Sequence, residues 1–293
     1  MTRAFKVADH IFHLEVPGAG YDIGLEGQYE PFETEPSSDP VFTLAITDQV
    51  PAPPLPPVLD QDMGKGETRL VLYREPDGCC TVDMAPDTGI PFTARLRATP
   101  GFRQGWLQIY ARGRGSRHFA VSNSLMLMYA FSTAALGTLE MHASVIANGG
   151  KAYLFLAPSG TGKSTHSSLW LKHIPGSELL NDDNPVVRVL PDGTVMVYGS
   201  PWSGKTPCYK AACMPAGAFV RIRRSPVNGI TRLGVIESYA TLTSSTSGLR
   251  DDIRQADGLH STLEKVIREV PCYVLDCRPD EEAARVCAAE VMK

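Results

Sequence analysis

The sequence predicts an α+β or α/β chain in which a β-rich N-terminal domain, residues 1–118, precedes a second domain of alternating strands and helices, residues 119–293. Three observations carry this. Short runs of β-branched and apolar residues, punctuated by Gly and Pro turns, fill the first region. An apolar stretch at residues 125–136 then breaks that pattern and reads as a buried helix. Beyond it, the strand-like run Ala152-Tyr153-Leu154-Phe155-Leu156 leads into the glycine-rich loop Ala157-Pro158-Ser159-Gly160-Thr161-Gly162-Lys163-Ser164 and a helix over residues 163–173.

In the N-terminal region the expected strands lie at residues 5–16, 41–47, 68–73, 93–98 and 106–110. Gly78 closes a hairpin between residues 69–73 and 80–83. The stretch Pro51-Ala52-Pro53-Pro54-Leu55-Pro56-Pro57 fits neither sheet nor helix and reads as a stiff surface connection. Ser122 or Asn123 is the expected cap of the buried helix, and Gly137 its end. Strands at 141–147 and 152–156 follow, joined by Asn148-Gly149-Gly150, a tight hairpin turn. The strand feeding the loop is thus approached antiparallel, unlike the parallel βαβ approach of most phosphate-loop enzymes. After the loop helix come strands at 178–183, 186–190, 195–198 and 217–223. A helix over 250–269 with a break at Gly258, a strand over 272–277 and an amphipathic helix over 280–292 complete the chain.

Composition narrows the function classes. The chain has 293 residues, 43% apolar and 20% charged, with a net charge of −4. That is the make-up of a soluble globular protein and gives no electrostatic footprint for nucleic acid. The first twenty residues lack the apolar core of a signal peptide, and the apolar stretch at 125–136 is too short to span a bilayer. Seven cysteines, an odd number, argue against a secreted disulfide framework and for reduced, packed thiols. The cytoplasm is the expected compartment, with no membrane and no nucleic-acid partner.

The glycine-rich loop is the strongest functional signal. Gly160 and Gly162 let successive amide N–H groups turn toward one bound anion, the following helix adds the positive end of its dipole, and Lys163 adds a full charge. Ser164 supplies a hydroxyl for a magnesium ion bridging phosphates. Ala157 replaces the first glycine of the usual pattern, which alanine does where φ is negative. Residues Ser159, Gly160, Thr161, Gly162, Lys163, Ser164 and Thr165 are the expected binding residues for ATP with Mg2+. Downstream, Asp182 and Asp183 end a strand with two carboxylates, which phosphoryl transfer needs for the metal and for the acceptor proton. Upstream, His142 precedes the hairpin, where a tunable charge near the phosphates matters. Further along, Tyr198-Gly199-Ser200-Pro201-Trp202-Ser203-Gly204-Lys205 makes an irregular loop. Trp202 reads either as a substrate platform or as a core residue, Lys205 as a phosphate contact, and Arg221 and Arg223 as part of a clamp on the transferred group.

Together, Met141-His142-Ala143, the hairpin, residues 157–164 and Leu180-Asn181-Asp182-Asp183 resemble the catalytic domain of HPr kinase/phosphorylase, a fold related to phosphoenolpyruvate carboxykinase. The resemblance spans about residues 120–293. It implies a P-loop kinase core with a mixed sheet, His142 near the nucleotide phosphates, and Asp182 or Asp183 as general base with the other near magnesium. Asp183 is paired with Ser164 as the expected metal ligand set, and the pattern leaves open which acid is base. HPr kinases carry an arginine- and glycine-rich signature after the acidic pair. Here residues 197–205 instead look like the proline-tryptophan-glycine loop of HPr-kinase-related proteins, several of which accompany ribosomal-peptide maturation. The implied activity is ATP- and Mg-dependent transfer to a hydroxyl, with Ser or Thr of a peptide or small protein preferred over HPr. A small-molecule kinase and a nucleotide-binding regulator without transfer chemistry are the alternatives. HPr kinases are hexamers, so the resemblance also raises a homo-oligomer.

Overall fold

In the N-terminal region the strands are β1 (Thr2–Val7), β2 (His10–Glu15), β3 (Thr43–Ile46), β4 (Leu59–Asp62), β5 (Arg69–Arg74), β6 (Cys80–Ala85), β7 (Ala94–Ala98) and β8 (Gln104–Ile109). They form a mixed sheet in the order β1-β2-β3-β8-β7-β6-β5-β4. The pairs β2/β3 and β3/β8 are parallel, and the other neighbours are antiparallel. The structure, a computed structural model, describes residues 1–62, 64, 68–204 and 206–293.

The run at residues 5–16 is not one strand. Ala8 (φ 46°) and Asp9 (φ 61°) form a two-residue turn between β1 and β2. Both residues sit in the left-handed region, as the right-handed twist of a tight hairpin demands, yet neither is the glycine that would have signalled it. Residues 51–57 form neither helix nor strand. Helix α1 (Arg114–Thr133) begins well before Ser122 and Asn123. Its Tyr129 hydroxyl donates to Val7 O at 3.1 Å, and Phe131 meets Phe102 edge-on at 4.9 Å between ring centroids. These contacts tie α1 to the N-terminal sheet, and the chain divides at Ser132/Thr133 rather than at 118/119.

The second unit, Thr133–Lys293, contains β9 (Thr138–Glu140), β10 (Ala143–Asn148), β11 (Lys151–Leu156), α2 (Lys163–His173), β12 (Glu178–Asp183), β13 (Val186–Val189), β14 (Val195–Tyr198), β15 (Cys213–Arg224), β16 (Gly229–Arg232), α3 (Val235–Ser244), α4 (Ile253–Glu269), β17 (Cys272–Cys277) and α5 (Glu281–Val291). Its mixed sheet runs β12-β10-β11-β15-β14-β13-β9, with β17 paired parallel to the C-terminal half of β15 and β16 alongside it. The pair β11/β15 is also parallel.

Helices cover both faces, so the central strands are apolar throughout. Leu154 and Leu156 of β11 enter a core shared with Leu259, Leu263 and Val266 of α4. Tyr153 and Phe155, pointing the other way, pack with Trp170 of α2 and Ala284, Cys287 and Val291 of α5. Helix α4 runs unbroken through Gly258. A Cβ there would lie 2.6 Å from Ala135 Cα, so the glycine marks a close approach of two backbones and not the end of a helix. No disulfide joins the cysteines among the described residues, and Cys208, Cys272 and Cys277 are buried. Among the described residues, no helix is long and apolar enough to cross a membrane.

Candidate functional site

Strand register gathers the candidate residues at one edge of the second sheet. Ala143, the first residue of β10, pairs with Leu156, the last of β11, and on its other side with Asp183, the last of β12. His142, the start of the 157–162 loop and the acidic pair therefore emerge together. The hairpin turn makes this possible: Gly149 (φ 56°) and Gly150 (φ 77°) reverse the chain in two residues.

The loop itself needs its glycines for conformation. Gly160 (φ 71°) and Gly162 (φ 127°) lie where side chains are strained, and Gly162 caps α2. Ala157 is not among the positive-φ residues, which is why alanine serves at this position. Arg224, at the end of the neighbouring β15, donates from Nη2 to Gly160 O at 2.5 Å and from Nε to Thr161 O at 3.1 Å. Within the loop, Thr161 N–H donates to Pro158 O at 3.2 Å. Ser144 and Ser167 share a hydrogen bond of 2.6 Å that pins α2 to β10.

At the loop's end two polar contacts meet. Lys163, 8% exposed, donates from Nζ to His142 Nε2 (2.5 Å) and to Ala157 O (3.0 Å). The other ring nitrogen of His142, Nδ1, lies 3.2 Å from Asp183 Oδ1. A histidine that accepts at Nε2 from Lys163 carries its proton at Nδ1, the nitrogen that lies beside Asp183. Burial pulls the Lys163 ammonium below its usual range, while the carboxylates of Asp183 and Asp182 oppose that shift. Separately, the Ser164 hydroxyl donates to Asp182 Oδ1 at 3.0 Å. Ser164 thus faces Asp182, where the sequence reading sets Asp183 with Ser164, and Asp183 lies beside His142. Consecutive strand residues point to opposite sides, which separates the two acids, and Asp183 itself has a positive φ of 135°.

A buried clamp holds this turn. Asn181 Nδ2 donates to Ser200 Oγ at 3.2 Å, and Ser200 Oγ in turn donates to Asn184 O at 2.5 Å and accepts from Trp202 N at 3.1 Å. Asn181 and Ser200 are wholly buried. Gly204 N–H donates to Asp182 O at 2.6 Å, and a Cβ on Gly204 would press on the Asp183 side chain at 3.1 Å. The loop after β14 thus acts on the acids through its backbone. Trp202 is 3% exposed, which makes it a core residue and removes the substrate platform. Arg223 is engaged by Asp276 (Nη2–Oδ2 2.5 Å) and is no free clamp. Arg221 and Ser159 border a cleft of about 400 Å³ beside the loop. Thr161 and Thr165 border a larger one of about 760 Å³. Lys205 lies outside the described residues.

One buried group had no signal of its own. Glu140 is 2% exposed, and neither of its carboxylate oxygens has a hydrogen-bond partner of normal geometry among the described residues. Burial outweighs the opposing pull of nearby Ser247 and, helped by the charge of Asp183, pushes the carboxyl up to about 7. Leu139 and Met141 enter the core, so strand alternation sends Glu140 to the face that His142 takes two residues on. That alternation was readable; the depth of burial was not.

The fold is α+β with two mixed sheets, and the site sits at a strand edge of the second. No protein-family model matches the sequence, and no curated protein matches it. Among solved structures, the chain is similar to the HPr(Ser) kinase/phosphatase from Coxiella burnetii at 10% identity. That match covers 53% of this chain and 99% of the other, with a TM-score of 0.27. A likeness so slight carries no functional argument.

Proposed function

We propose that the chain is an ATP- and magnesium-dependent kinase that moves the γ-phosphoryl group to a hydroxyl, with Ser or Thr of a peptide or small protein as the preferred acceptor. One observation carries this reading. Two carboxylates, a buried lysine, a histidine and a serine hydroxyl converge on a glycine loop at a helix N-terminus, His142 between Lys163 and Asp183 and Ser164 on Asp182.

In this reading the loop amides of residues 159–164 cradle the β- and γ-phosphates, and Lys163 places its charge between them. Asp183 takes the acceptor proton as the acceptor oxygen forms its bond to the γ-phosphorus. The bond from that phosphorus to the β,γ-bridging oxygen breaks, and its electron pair leaves with ADP. Asn184 Nδ2, donating to Oδ2 at 3.1 Å, and His142 Nδ1, 3.2 Å from Oδ1, flank the carboxylate and leave each oxygen a lone pair for the incoming proton. Ser164 Oγ and Asp182 Oδ1 are hard oxygen donors facing each other. They fit magnesium, which takes one or two protein oxygens and fills the rest of its shell with phosphate and water. When bound, magnesium supplies charge neutralisation at the phosphate oxygens.

Lys163→Ala and Asp182→Asn are expected to lower transfer of label from γ-labelled ATP by at least about a thousandfold, with the circular-dichroism melt retained. Full transfer by either variant sinks the proposal.

A further inference from the structure

The phosphate loop has two sides. His142, Asp182 and Asp183 lie toward β10 and β12. On the opposite side, toward the ends of β15 and β17, opens the cavity of about 760 Å³, a size suited to an organic ligand and not only to an anion. Its wall combines apolar side chains, Leu169, Ile222 and Pro226, with the cations Arg224 and Arg278. The residues that line it include no carboxylate.

His166 of α2 also lines this cavity, and it is 2% exposed. The Trp170 indole N–H donates to its Nε2 at 3.1 Å. An imidazole that accepts at Nε2 holds its one proton at Nδ1. That Nδ1 has no partner among the described residues. A buried donor left unmatched costs stability. The Trp170 bond accounts for Nε2 and the ring packs edge-on against Phe155, but neither contact engages Nδ1.

Resting on the phosphate-loop reading above, we propose that this cavity takes the nucleoside end of the triphosphate and that His166 Nδ1–H donates to an acceptor atom of its base or ribose. The loop fixes the phosphates, and the γ-end must face Asp183 for transfer. The α-phosphate and nucleoside then leave by the other side, where the cavity supplies apolar surface for the base and donors for its ring nitrogens or sugar oxygens. Trp170 is a positioning residue here: its N–H selects the tautomer that makes His166 a donor.

Calorimetric titration of the full chain with ADP and with pyrophosphate, both with magnesium, tests this. The expected result is ADP binding at least about tenfold tighter than pyrophosphate, with Leu169→Trp erasing that advantage by filling the cavity and leaving pyrophosphate affinity unchanged. His166→Phe is expected to remove about three- to tenfold of the ADP advantage alone, as loss of one hydrogen bond does. Equal affinity of the wild type for ADP and pyrophosphate, or an undiminished ADP advantage in Leu169→Trp, overturns the subsite while the loop reading stands. Absence of pyrophosphate binding, or pyrophosphate binding indifferent to Lys163→Ala, overturns the loop reading and the subsite with it.

Discussion

Asp183 holds a backbone conformation, φ 135°, that L side chains rarely adopt, and it holds it at the centre of the site. Such a conformation costs about 1–3 kcal/mol and persists where its surroundings over-determine it. Here the surroundings are identifiable: the β10 pairing on one side, the bridge to Ser203 on the other, and the Asn181–Ser200–Asn184 hydrogen bonds behind. The strained residue's carboxylate lies beside His142, and that of its neighbour Asp182 meets Ser164. A comparison of two variants isolates the strain. Asp183→Gly is expected to be about 1 kcal/mol more stable than Asp183→Ala by denaturant unfolding, because only glycine relaxes there. Glycine normally costs stability against alanine, so the opposite order would remove strain from the account. The residues of the site were readable from the sequence because loop, histidine and acids keep a recognisable spacing. Their pairing was not, since it follows from the register that sets Asp182 opposite Ser144 and Asp183 opposite Ala143, and that register leaves no mark in the two acids themselves.

Strand register delivers these side chains to one edge, and it was largely legible: Asn148-Gly149-Gly150 announces the hairpin, and alternating apolar residues announce the strands around it. Where the reading failed, a tertiary contact had overridden a local signal. Gly258 looks like a helix break in isolation, yet α4 passes through it because the chain at Ala134 and Ala135 packs against the bare Cα. Gly258→Ala is accordingly expected to destabilise the fold by about 1–3 kcal/mol, where an open helix site would gain from alanine. A raised melting temperature in that variant would contradict the close approach. At Trp202 the sequence left a substrate platform and a core residue both open; the residue is buried, and its backbone N–H is held by Ser200 Oγ. Helix α3 (Val235–Ser244) had no sequence signal strong enough to separate it from its surroundings, with Val235 and Ile236 exposed at its start.

The chain as a whole is two units, and the helix that looked like the opening of the second belongs by its packing to the first. Titration of the second unit gives a further handle on its interior. Glu140 binds its proton more tightly folded than unfolded, so the stability tied to it is full below its ordinary value of 4.5 and is lost as pH rises through about 7. His166, pulled down by burial to about 4 from 6.5, acts in the opposite sense: its contribution is lost as pH falls through that window. Glu140→Gln is therefore expected to steepen the rise in stability between about pH 4.5 and 7 and to add on the order of 3 kcal/mol above pH 8, read by urea unfolding across pH. An unchanged pH profile would place Glu140 in water. The most direct test of the proposed chemistry is transfer from γ-labelled ATP, with magnesium, to a panel of Ser/Thr peptides and small polyols, wild type beside Asp183→Asn. Acid-stable label in a hydroxyl-bearing acceptor, reduced at least about a thousandfold by the variant, is the predicted result; no label in any acceptor, or equal labelling by both proteins, would contradict it.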